Sequence, residues 1–135
     1  MTLTFADTYY YLALVNPRDK AHRRAVRASE QVTGRVVTTQ WVLTEVGDAL
    51  AARKDRSRFV ALVASLEASP DVTIVPASDE LFRRGMEFYR QRGDKDWPLT
   101  DCISFVVMEG QSIREALTED AHFKQAGFVV LLAEE

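Results

Sequence analysis

Cysteine is almost absent from this sequence: Cys102 is the only one in 135 residues. A lone cysteine forms no intrachain disulfide, which excludes a disulfide-stapled secreted module, and zinc sites built on several thiolates are excluded with it. No apolar run approaches the roughly 20 residues that cross a bilayer as a helix. The opening Met1-Thr-Leu-Thr-Phe-Ala-Asp7 has neither a basic stretch nor a long apolar one, so no signal peptide is expected and the cytoplasm is the expected compartment. The four prolines and six glycines are scattered as punctuation, without repeats, low-complexity tracts or linkers. What remains is 47% hydrophobic and 27% charged residues, the balance of a soluble globular chain, which excludes a disordered tail or a coiled coil. The length suits one core, and a single domain over 1–135 is expected.

Charge is unevenly spread. Residues 18–58 hold ten Lys and Arg against five Asp and Glu, a net +5, whereas residues 59–135 hold seven against fourteen, a net −7. The first stretch can offer a cationic face to an anionic partner. The overall −3 argues against a generic nucleic-acid coat but leaves room for a local phosphate site.

Short β-type runs alternate with longer helical ones. Strands are expected at 2–6, 35–38, 72–75, 114–118 and 128–132. Helices are expected at 7–15, 20–32, 40–54, 56–68, 79–92, 99–109 and 120–125, with a loop over 93–98. Five strands separated by helices define an α/β fold, and runs such as Val72-Thr-Ile-Val75 suit parallel strands covered on both faces. Ligands of open parallel sheets bind beyond the carboxyl ends of the strands, so the residues following each strand are where chemistry is to be sought.

Acids stand at those places. Asp7 follows the first strand, Asp120 follows the fourth by two residues, and Asp101 opens the apolar helix after the Lys95-Asp96-Trp97-Pro98 loop. Each aspartate also suits a helix N-terminus, where it caps free N–H groups and meets the positive end of the dipole. Glu45 lies inside a helix, where no cap is possible. Trp41, Val42, Asp48 and Ala49 share its side, which sets its carboxylate on or beside the apolar stripe. A carboxylate there needs a partner: an arginine, water at the stripe edge, or a metal ion. Should the strand ends converge, Asp7, Glu45, Asp101 and Asp120 would repel one another and raise each other's pKa, a conflict that a divalent cation relieves. All-oxygen ligands select Mg2+ or Mn2+ over zinc. Such a cation can activate water and hold a phosphoryl oxygen, the equipment for hydrolysing a phosphodiester.

The segments Phe5-Ala6-Asp7-Thr8, Thr44-Glu45-Val46, Leu99-Thr100-Asp101-Cys102 and Leu117-Thr118-Glu119-Asp120-Ala121-His122-Phe123 together resemble the PIN-domain family, most closely its VapC-type toxins, nearly end to end. The resemblance implies a PIN-like three-layer α/β/α fold with a central, mostly parallel five-stranded sheet. It implies a metal-dependent endoribonuclease in which Asp7, Glu45, Asp101 and Asp120 are the catalytic acids and ligate Mg2+ or Mn2+. Thr8 and Thr100 match hydroxyls beside the acids, and Thr118 the threonine before the last acid. It further implies RNA as substrate, a small antitoxin protein as silencing partner, and a homodimer. The alternative is a catalytically silent PIN fold that binds protein or RNA.

Two other folds with an aspartate after the first strand fit poorly. A HAD-type phosphatase wants a second aspartate two residues on, where Tyr9 stands. A receiver domain wants paired acids there and a lysine after a late strand, and has neither. Several residues carry two readings. Asp96 is a further acid near the metal or a partner of Lys95 or Arg92; Asp48 tunes Glu45 or is surface decoration. His122 is a proton shuttle or positions the last helix, and His22 faces solvent. Trp97 stacks on a base or packs over the apolar helix, and Trp41 is core. One or two of Tyr9, Tyr10 and Tyr11 are core, with the remainder on a partner surface. Cys102 is buried. Arg53, Lys54, Arg56 and Arg58 are a phosphate-tracking rim or a solvated turn.

Overall fold

The computed structural model describes residues 2–133; the single-domain expectation for 1–135 also covers Met1, Glu134 and Glu135, which lie outside the described residues. Among the described residues, β1 (Leu3–Ala6), β2 (Arg35–Thr39), β3 (Val72–Val75), β4 (Glu115–Leu117) and β5 (Val129–Val130) form one sheet in the order β3-β2-β1-β4-β5. Every pairing is parallel. Seven helices connect them: α1 (Thr8–Val15), α2 (His22–Gln31), α3 (Gln40–Ala49), α4 (Arg56–Ala68), α5 (Asp79–Gln91), α6 (Leu99–Gly110) and α7 (Ala121–Gln125). The chain runs outward from β1 through β2 to β3, then returns across the sheet to β4 and β5. Right-handed crossovers therefore set α1–α4 on one face and α5–α7 on the other. The direction reverses between β1 and β4, so the crevice beyond their carboxyl ends is the place where this topology puts a ligand.

Helix α6 is apolar nearly all round because it is covered nearly all round. Asp101, Cys102, Ile103, Ser104, Phe105, Val107 and Met108 are all buried. Phe105 packs edge-on against Phe123 and Trp97, with ring centroids 4.9 and 5.2 Å away. On the other side α6 meets α5 at Gly85, where a Cβ would come within 2.3 Å of Ile103 Cγ1. Trp97 is buried and donates its indole N–H to Gln125 Oε1 at 2.9 Å, so it packs over the apolar helix and offers no face to a base. Tyr10 and Tyr11 are core, and Cys102 is buried as expected.

The differences from the sequence reading lie at element ends. Helix α3 stops at Ala49 instead of 54, because Arg56 Nη1 takes the Ala51 carbonyl and Asp55 N–H takes that of Ala52, turning the chain into α4. Helix α2 starts at His22 instead of 20, because Asp19 Oδ1 accepts the Ala21 N–H in a turn before it. The last strand pairs only at Val129–Val130 of the expected 128–132. His22 is half-buried with Nδ1 2.8 Å from the Ala13 carbonyl, and is not solvent-facing. Trp41 is half-buried, bordering a cavity of about 640 Å3 between α3 and α4 rather than the core.

Candidate metal centre

Parallel register brings the first two site residues together. Ala6 pairs with Leu117, so Asp7 and Thr118 are the next residues beyond the ends of adjacent strands. Thr118 is fully buried and donates its hydroxyl to Asp7 Oδ2 at 3.0 Å. The same oxygen accepts the Asp120 backbone N–H at 3.0 Å, so one threonine ties the first acid to the loop carrying the last. Asp7 occupies the position before α1 without making a side-chain cap bond, and its Oδ1 is buried with no protein partner.

Asp101 enters from the opposite face of the sheet, in the first turn of α6, and is 5% exposed. His122 stands between Asp101 and Asp120, its Nδ1 3.1 Å from Asp101 Oδ2 and 3.2 Å from Asp120 Oδ1. Asp120 also caps α7, accepting the His122 N–H at 2.9 Å. One ligand atom from each of Asp101, Asp120 and His122 lies within 4.8 Å of the others. Glu45 comes from α3 and accepts the Thr8 hydroxyl at 2.5 Å, which anchors it one residue from Asp7. Its partner is a hydroxyl from the neighbouring helix.

The four acids feel one another. Burial pushes the Asp7 carboxyl up to about 7; the Thr8 N–H and the Thr118 hydroxyl lower it, and the charges of Asp120 and Glu45 raise it again. Burial pushes Asp101 up to about 8, with the charges of Asp7, Asp120 and Glu45 adding to it. Two buried carboxyls held this far above their ordinary range mark a place where ionisation goes uncompensated by the protein, a signature of functional sites. A divalent cation fits it: the donors are mainly carboxylate oxygens, and the buried unpartnered Asp7 Oδ1 is the kind of lone pair a hard cation takes.

Asp101 and Asp120 come within reach of one ion together with His122, while Asp7 and Glu45 stand outside that group but close enough for their charges to act on Asp101; the four acids come from four separate segments. Asp96 and Asp48 are both exposed. Sequence reasoning passed over a neighbouring cluster: Glu119 accepts hydrogen bonds from the Tyr9 hydroxyl and the Arg24 guanidinium, clamping α1 and α2 to the loop before Asp120. The only hint in the sequence is a second acid beside Asp120, because Arg24 lies 95 residues away.

Residues 4–129 match the family model described as PIN domain, and the chain belongs to that family. It is 29% identical over 127 residues to the 23S rRNA-specific endonuclease VapC20 of Mycobacterium tuberculosis, an alignment covering 94% of this chain and 96% of the relative. The crystal structure of Mycobacterium tuberculosis VapC20, described as a Sarcin-Ricin loop cleaving toxin, superposes with a TM-score of 0.85 at 28% identity, covering 93% of this chain and 96% of that one. FitAcB from Neisseria gonorrhoeae shares the fold at a TM-score of 0.64 and 17% identity, over 94% of both chains.

Proposed function

We propose that this protein is a metal-dependent endoribonuclease and the toxin of a toxin–antitoxin pair. The observation that carries the reading is the convergence of Asp7, Glu45, Asp101 and Asp120 on one site, with Asp7 and Asp101 buried and their carboxyls raised to about 7 and 8. The similarity to a 23S rRNA-specific endonuclease over nearly the whole chain supports it.

Asp7, Asp101 and Asp120 would hold Mg2+ or Mn2+, with Glu45 completing the set. When bound, the cation would offset charge developing on the phosphoryl oxygens and make water a better nucleophile at neutral pH. The chain's own residues do the rest. Thr118 fixes the orientation of Asp7 through Oδ2 and leaves Oδ1 free to ligate. Thr8 holds Glu45 at the edge of the site, where its second carboxylate oxygen can take a proton from water. His122 keeps Asp101 and Asp120 at a common distance from one ring nitrogen.

The first substrate to test is ribosomal RNA, because the relative similar over the full length cuts 23S rRNA. Purified protein is incubated with ribosomes, naked ribosomal RNA and transfer RNA, with Mg2+ or Mn2+ and with EDTA, beside Asp101→Asn. The expected result is discrete cutting that needs the metal and disappears in the variant. Binding of RNA without cutting in any of these arms would instead establish the silent binding fold.

Two remaining expectations follow from the resemblance, a small antitoxin occupying the site and a homodimer; the expectation of the cytoplasm follows from the lone cysteine and the opening sequence. No helix among the described residues is long and apolar enough to cross a membrane. The exposed apolar residues Phe82, Met86 and Tyr89, spaced along one side of α5, support pairing with a second copy.

A further inference from the structure

The basic residues between α3 and α4 do not form one rim. Arg56 turns back onto the Ala51 carbonyl and borders the cavity between α3 and α4. Lys54 and Arg58 border a different cavity, of about 610 Å3, which Arg18 joins from the connection between α1 and α2. We propose that this second cavity holds the RNA backbone beside the scissile phosphate, with Arg18, Lys54 and Arg58 as its phosphate-binding cations. The proposal rests on the ribonuclease reading above and deepens it.

The cavity lies at the end of a path that starts at the acids. Helices α1 and α3 pack together and are joined at the site by the Thr8–Glu45 hydrogen bond. One helical turn further, about 6 Å along each axis, Leu12 and Ala49 already border the cavity, followed by Asn16, Pro17 and Leu50. A strand whose scissile phosphate sits at the acids and which follows the α1–α3 seam therefore enters the cavity within the next nucleotide or so. Three cations from two stretches of chain, Arg18 from the α1–α2 connection and Lys54 and Arg58 from around the start of α4, meet it there, all exposed.

Two acids share the border. Asp19 is occupied by the Ala21 N–H, and Asp55 is half-buried at the start of α4. Three cations against these two carboxylates leave the border of the cavity net +1. A nuclease site made of four carboxylates repels a polyanion and needs cations close by to admit it. The half of the chain from residue 59 onward is net −7, so attraction has to be local, and this cavity is next to the acids.

The test measures binding and cleavage separately. Arg18→Gln, Lys54→Gln and Arg58→Gln are made singly and together, with Arg56→Gln and the exposed Arg84→Gln on α5 as controls. Binding of a fluorescein-labelled sarcin–ricin RNA hairpin is followed by anisotropy against salt in the Asp101→Asn background, where no cleavage interferes. Each cavity substitution is expected to flatten the slope of log K against log salt by about 0.7, as for one lost single-strand phosphate contact. The triple variant should flatten it by about 2, and in the cleaving protein should raise KM at least tenfold with kcat at saturation unchanged. Circular dichroism and the thermal midpoint confirm folding.

Slopes and KM equal to those of the two controls, with Asp101→Asn still abolishing cleavage, would overturn the cavity and leave the ribonuclease reading intact. Competition by polyglutamate as effective as by RNA of equal charge would also overturn it, making the cavity a site for acidic protein. Were no RNA cleaved at all, the ribonuclease reading would fall, and the binding slopes would still decide the cavity.

Discussion

Thr118 donates its hydroxyl to Asp7 Oδ2 at 3.0 Å, across 111 residues of sequence. The bond exists because β1 and β4 are neighbours only after the chain has crossed the sheet and returned. It makes the site depend on the topological reversal itself: only there do two carboxyl ends of adjacent strands come from distant parts of the chain. Because the same hydroxyl oxygen accepts the Asp120 N–H, Thr118 sets the separation between the first acid and the last.

Thr118→Val keeps the shape and removes both bonds. It leaves a buried carboxylate oxygen and a backbone N–H unsatisfied, each costing about 1–3 kcal/mol. The expected outcome is a lower denaturation midpoint and a fall in cleavage of one to two orders of magnitude. Thr118→Ser should restore most of both. Normal cleavage by the valine variant would remove Thr118 from the positioning of Asp7.

Asp101→Asn separates function from stability. The asparagine has nearly the same shape but carries no charge into a place where burial and three neighbouring acids disfavour it. Cleavage should fall by at least about 10²-fold, the scale of losing one group that stabilises a transition state. At pH 8 without metal, the variant should melt at a higher temperature than the parent. A variant that is both inactive and less stable under those conditions would mean that Asp101 is held by partners rather than repelled by neighbours.

Much of this was legible in the sequence, for identifiable reasons. The strands were readable because they are short β-branched runs bounded by turns, and Asp7, Asp101 and Asp120 because acids sit just past strand ends or at a helix start. Glu45 stood out because it could not be a cap. What was not legible depends on contacts between distant segments. The end of α3 is set by Arg56 reaching back to Ala51, which no helical period encodes. The burial of Trp97 depends on Gln125, and the clamp of Tyr9 and Arg24 on Glu119 depends on α1 and α2 lying beside the β4–α7 loop. The basic run at 53–58 reads as one feature, and only the fold sends Arg56 to one cavity, Lys54 and Arg58 to another, and Arg53 to neither.

Gly85→Ala tests the packing that delivers Asp101. A methyl group there meets Ile103 Cγ1 at 2.3 Å, inside any van der Waals contact. Overpacking of this kind costs about 1–3 kcal/mol. The chemical-denaturation midpoint should fall, and because Ile103 is two residues from Asp101 on α6, cleavage should fall as well. An alanine variant as stable as the parent would show that α5 can move away from α6 without cost.

The raised carboxyls also set a pH dependence opposite to that of most paired acids. Asp7 and Asp101 titrate near 3.8 in the unfolded chain but near 7 and 8 in the folded one. Between those limits the folded protein binds more protons than the unfolded protein, so its stability falls as pH rises. Their contribution is fully present below about pH 4 and is lost by about pH 8. In EDTA, the thermal midpoint should therefore drop between pH 5 and pH 8, and the drop should shrink in the Asp7→Asn, Asp101→Asn double variant. Mg2+ or Mn2+ binds the ionised acids, so it should raise the midpoint far more at pH 8 than at pH 5, and not in the double variant. A midpoint that climbs with pH in EDTA equally in parent and double variant would show that neither acid is strained in the folded chain. A metal effect independent of pH would place the cation away from these acids.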